Sequence, residues 1–106
     1  MRLHKHYKEN PFKDEVGLRL GMEETITISE LSKTAMKLYL FIREYSFRTK
    51  GYIVFDFAMA KGLCGFKQNK SVYNALNELI NKEIIADSKD SLEYYYNPRF
   101  INNEKE

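Results

Sequence analysis

Between Val72 and Ile80 the apolar residues Val72, Ala75, Leu76, Leu79 and Ile80 fall at i, i+3, i+4, i+7 and i+8. That spacing draws one apolar stripe down a helix. Ile84-Ile85-Ala86 follows at once, then the polar run Asp87-Ser88-Lys89-Asp90-Ser91, then Leu92-Glu93-Tyr94-Tyr95-Tyr96. Strand-like flanks around a turn-like centre predict a β-hairpin, ended by Asn97-Pro98. A helix seeking cover for one face, joined directly to a hairpin, commits this half of the chain to an α+β domain.

The preceding segment supplies the cover. Leu31, Ala35, Leu38, Ile42 and Tyr45 recur at spacings of four, three, four and three, with Phe41 widening the stripe. This predicts a helix capped by Ser29 or Ser32 and ending near Arg48, before Lys50-Gly51. Tyr52-Ile53-Val54-Phe55 is a short strand. Asp56 caps a short helix from Phe57 to about Lys61, and Gly62 and Gly65 make Leu63-Cys64 a turn. The next helix starts near Gln68 or Asn69, with Lys82 suiting its C-terminal dipole. Upstream, Val16, Leu18 and Leu20 alternate with Gly17 and Arg19, and Thr25-Ile26-Thr27-Ile28 is β-branched, which predicts an N-terminal hairpin turning at Gly21-Met22-Glu23-Glu24. The expected layout is a polar arm at 1–15, a domain at 16–101 and a frayed tail at 102–106. The expected core holds Leu31, Leu38, Ile42, Leu63, Val72, Leu76, Leu79 and Ile84.

The chain has 106 residues, 43% hydrophobic and 30% charged, as in an ordinary globular domain. It holds no run near the ~20 apolar residues of a membrane span. Cys64 stands alone, which excludes an internal disulfide and a cysteine-based zinc site and points to a reducing cytoplasm. The net charge of +2 is small, but its distribution is uneven. Residues 28–86 carry nine basic and five acidic groups, against five and five in residues 1–27 and three and five in residues 87–106. The excess positive charge therefore lies on the helical segment, where a polyanion would bind.

The order helix, strand, helix, turn, helix, hairpin over residues 29–96 resembles the winged helix-turn-helix superfamily. The residues that carry the resemblance run from Ala60-Lys61 through Leu63 and Ser71-Val72-Tyr73-Asn74-Ala75-Leu76-Asn77-Glu78-Leu79 to Ile84-Ile85. It implies three helices, a short strand and a C-terminal wing, with Ala60 packed on the third helix and the isoleucine pair opening the wing. Two features depart from it. The stretch from Ala60 to Val72 is longer than the usual tight turn, and Asp87 and Asp90 leave the wing tip less basic than wings that grip phosphates. Leu38-Tyr39-Leu40-Phe41-Ile42 and Tyr95-Tyr96-Asn97-Pro98 with Phe100 are similar to small plasmid and phage replication proteins of the RepL kind. Size and residue usage are also similar to conjugation accessory proteins such as TcpK. Both imply a protein that binds an origin and helps assemble a nucleoprotein complex.

The third helix of this scheme has a polar face: Lys67, Gln68, Asn69, Lys70, Ser71, Tyr73, Asn74 and Asn77. Asn and Gln match the edge of adenine in the major groove, and Lys and Ser suit phosphates. An ordinary solvated face carries more Glu and Lys. Candidate backbone or wing contacts are Arg43, Arg48, Lys50, Lys61, Lys89 and Arg99, each equally readable as a solubilising charge. No base, cation cluster or metal stands ready to activate a tyrosine, so no enzymatic activity, cofactor or metal is expected. His4 and His6 lie in the arm, and the GxxG of Gly62 and Gly65 has no other KH feature beside it. The expected function is non-catalytic, sequence-specific binding of double-stranded DNA at an origin of transfer or replication of a mobile element. The partners would be a second copy and a separate relaxase or replication enzyme, with no membrane and no small-molecule substrate. A transcriptional repressor and a protein-interaction winged helix without DNA binding are the alternatives.

Overall fold

Thr25-Ile26-Thr27-Ile28, expected as a strand, is helical. In the computed structural model, which describes residues 9–12, 21–45, 47–49, 52–88, 90 and 92–101, helix α1 spans Met22–Ser29. The Glu24 carboxylate reaches back to accept the Gly21 N–H at 3.0 Å, which is half of a capping box. The Thr25 and Thr27 hydroxyls donate to the carbonyls of Gly21 and Glu23, so their β-branched side chains are accommodated on the helix. Arg99, near the far end of the chain, pairs with Glu24 and Glu23 and holds the helix from outside. The proposed partner strand at 16–20 lies outside the described residues.

Helix α2, Lys33–Tyr45, follows. Ser32 is its cap, accepting the Ala35 N–H at 3.1 Å, whereas the Ser29 hydroxyl bonds to Ile26. The helix stops before Arg48, earlier than expected. Residues 47–49 form strand β1, Phe47–Thr49, paired antiparallel with β2, Tyr52–Val54. A hairpin therefore stands where a single strand was expected, because ladder hydrogen bonds with β2 replace the last helical turn. Helix α3, Phe57–Cys64, begins at Asp56, whose Oδ1 accepts the Met59 N–H at 3.0 Å. It runs straight through Gly62 and ends at Gly65, which takes the left-handed conformation at φ 78°. Leu63-Cys64 is thus the last turn of a helix and not the loop that two glycines suggested.

Helix α4, Asn69–Asn81, carries the predicted stripe, with Val72, Ala75, Leu76 and Leu79 buried. It ends in a Schellman motif: Ile84 N–H bonds the Leu79 carbonyl at 3.0 Å and Glu83 N–H bonds Ile80 at 3.0 Å. Glu83 occupies the left-handed position at φ 62°. Strands β3, Ile85–Asp87, and β4, Glu93–Tyr96, form the expected hairpin. The four strands make one antiparallel sheet in the order β1-β2-β4-β3, so β4 enters between β2 and β3. The molecule is α+β with four helices among the described residues, one more than the sequence suggested.

α2 packs on α3 and α4, and the sheet closes the core. Leu31, Leu38, Ile42, Val72, Leu76, Leu79 and Ile84 are buried as expected. Leu63 is 59% exposed. Cys64, four residues after the buried Ala60, packs against the core in its place, and Phe66 is buried beyond it. Tyr94 and Tyr96 point inward and Tyr95 is half-buried. The Tyr39 hydroxyl donates to the Phe100 carbonyl at 2.6 Å and Asn97 Nδ2 to the Glu83 carbonyl at 2.9 Å, tying the closing turn to α2 and to the end of α4. Phe12 of the expected arm is buried, and with Pro11, Ile80, Ile85 and Ala86 it lines a cavity of about 310 Å³. The expected tail lies outside the described residues.

Candidate nucleic-acid interface

The face of α4 opposite its buried stripe is where the polar candidates converge. Lys70, Tyr73, Asn74 and Asn77 stand at i, i+3, i+4 and i+7, and so share one side of the helix. Gln68, Asn69, Lys70 and Asn74 are exposed, Tyr73 is 50% exposed, and Ser71 and Asn77 are half-buried. Lys67 is exposed in the turn before the helix. Gln68 holds the N-cap position, yet its side chain makes no capping hydrogen bond. Asn81 extends the same row by one further turn. Sequence reasoning overlooked it, although its spacing from Asn77 is four residues.

Tyr73 is fixed by aromatic neighbours. Its ring lies 5.0 Å from that of Phe57, tilted at 48°. Phe57 meets the buried Phe55 edge to face at 5.0 Å, and Phe55 meets Phe41 and Tyr94 in the same manner at 6.0 and 6.1 Å. A chain of edge contacts thus runs from the core to the exposed face. Phe57 was not singled out from the sequence because its partner lies sixteen residues further on.

The chain segment that leads into and carries this face is one-sided in charge. From Phe57 to Asn77 the chain holds Lys61, Lys67 and Lys70 and no Asp or Glu. The single carboxylate of α4, Glu78, accepts hydrogen bonds from the Ser32 N–H and hydroxyl at the start of α2.

The remaining described candidates belong to other elements. Lys61 is half-buried on α3. Arg43 belongs to α2, with its guanidinium 6.0 Å from the Tyr39 ring centroid. Arg48 sits in β1 in register with Ile53, and Lys50 and Lys89 lie outside the described residues. The Arg99 guanidinium is engaged by Glu24 and Glu23. Backbone hydrogen bonds at the start of α1 and then Arg99 hold the Glu24 carboxyl below its usual value, against the opposing effect of burial.

The β3–β4 hairpin offers carboxylates where a wing would offer cations. Asp87, Asp90 and Glu93 cluster near its turn, and desolvation together with the neighbouring Asp90 raises the Glu93 pKa. Ser88 is buried and organises the turn: its hydroxyl donates toward the carbonyls of Glu93 and Asp90 and accepts the Asp90 N–H. Among the described residues, no helix is long and apolar enough to cross a membrane, and no group of three or more His, Cys, Asp or Glu side chains is placed to hold a metal ion. The Cys64 thiol, raised in pKa by burial against the opposing charge of Lys37, lies 3.6 Å from the Lys37 carbonyl.

Comparison of the chain with protein-family models, with curated proteins and with solved structures finds no match.

Proposed function

We propose that the protein is a non-catalytic winged helix-turn-helix that binds double-stranded DNA through α4. The element order α2, β2, α3, α4, β3, β4, with β4 between β2 and β3, supports the winged-helix reading. One observation carries the DNA reading. The exposed face of α4 has amides and Lys70, with Lys67 just before the helix, while the only carboxylate of the helix is bound at Ser32. A polyanion meets no unpaired carboxylate of the helix itself there. The acidic β3–β4 turn suits DNA poorly, so the helix and not the hairpin would make the contacts that position and read the duplex. The likeness to plasmid proteins of the RepL and TcpK kinds extends the reading to an origin of transfer or replication. The protein would mark that origin, as a dimer on paired half-sites, for a separate enzyme.

The test is binding of the full chain to duplex DNA across a range of salt. The expected result is a steep fall of affinity with salt, the signature of released counterions. Absence of binding at low salt overturns the reading and favours the protein-interaction alternative.

A further inference from the structure

We propose, on the basis of the duplex-binding reading above, that α4 reads A·T base pairs from the major groove. Gln68 and Asn74 hydrogen-bond adenine, and the Tyr73 ring packs on thymine methyl groups. The row Lys70, Tyr73, Asn74 and Asn77 rises about 10 Å along the helix, roughly three base-pair steps. A side-chain amide carries a donor and an acceptor and matches the N6 and N7 of adenine. Guanine offers two acceptors and is matched by arginine or lysine. The sequence places no arginine between Arg48 and Arg99. Lys67, just before α4, and Lys70, the first residue of this row, flank the helix start, where they serve the phosphates.

Two structural details sharpen the assignment. The Gln68 side chain stands at the helix start without serving as a cap, so its amide is not spent on the helix end. Tyr73 is 50% exposed but held at 5.0 Å by Phe57, which makes it a fixed apolar surface in the middle of a polar row. The thymine methyl is the apolar group that the major groove offers to such a surface. No carboxylate of the segment Phe57 to Asn77 opposes the approach of this row to the duplex.

The experiment measures binding of the full chain to A·T-rich and G·C-rich duplexes of equal length at one salt concentration. The A·T-rich duplex is expected to bind about tenfold more tightly. Replacing adenine by 7-deazaadenine removes the N7 acceptor and leaves the minor groove and the pairing unchanged, so it is expected to reduce that preference, with the thymine methyl contact remaining. Asn74→Ala is expected to reduce it with no change in melting temperature. Replacing thymine by uracil is expected to weaken the parent and to leave Tyr73→Ala unaffected. Equal binding of the two duplexes, or a preference unchanged by both 7-deazaadenine and uracil, overturns the A·T assignment while the duplex-binding reading stands. Failure to bind either duplex overturns both.

Discussion

The Glu78 carboxylate accepts the Ser32 backbone N–H at 2.6 Å and the Ser32 hydroxyl at 2.8 Å, so α4 completes the cap of α2 across 46 residues of chain. Ser32 in turn accepts the Ala35 N–H. Together these bonds do what a capping box does within one helix. Glu78→Ala is expected to destabilise the fold by about 1–2 kcal/mol. Duplex affinity should hold or rise, since one negative charge is lost. A urea melt and a binding titration on the same variant separate the two effects.

Core and surface assignments on α3 and α4 can be told apart by truncation. Leu76 is buried and Leu63 is largely exposed. Leu76→Ala is expected to cost about 2–5 kcal/mol, and Leu63→Ala less than about 0.5 kcal/mol. Comparable losses at the two sites in chemical denaturation would show that Leu63 is covered in solution.

Glu83 holds a left-handed backbone without being glycine, at φ 62°. Glu83→Gly is expected to stabilise the protein by about 1 kcal/mol, because relief of the conformational penalty outweighs the entropy glycine adds to the unfolded chain. An unchanged or lower melting temperature would count against this balance.

Burial, then Asp87, paired with it across the hairpin, and then Tyr73 push the Tyr94 hydroxyl up to about 12. An unfolded tyrosine titrates near pH ~10. The folded state keeps this proton more tightly, so the stability it contributes is complete below about pH 10 and is lost as pH rises through about 12. Tyr94→Phe is expected to flatten the alkaline limb of stability against pH relative to the parent. Parallel limbs for the two proteins would show that Tyr94 does not set it.

On the DNA-binding reading, Lys70→Ala is expected to weaken binding to every duplex alike. It should also lower the slope of log affinity against log salt by about one. An unaltered slope would remove Lys70 from the phosphate contacts.

The helices α2 and α4 were legible in the sequence because each carries an apolar stripe of helical period. The row on α4 was legible because its polar residues share the complementary spacing. Local pattern failed where distant residues decide. Thr25 to Ile28 alternate like a strand, but Gly21, Glu24 and Arg99 stabilise a helix there, and Arg99 lies 75 residues from Glu24. Strand β1 follows directly on a helical stripe and exists through its pairing with β2. Gly62 and Gly65 suggested a loop, although of the two only Gly65, at the end of α3, adopts a conformation that favours glycine. The bond of Glu78 to Ser32 and the support of Tyr73 by Phe57 depend on contacts between elements, which spacing along the chain does not reveal.

The position of β4 bears on the order of assembly during translation. Its partner β2 is complete well before residues 93–96 are made, yet it must leave one edge open for the strand that joins it to β3. At synthesis rates of roughly 5–20 residues per second, the β2 edge waits on the order of seconds for its neighbour. The nascent chain is most exposed to edge-to-edge association in that interval, and the short, three-residue length of β2 limits the template it presents.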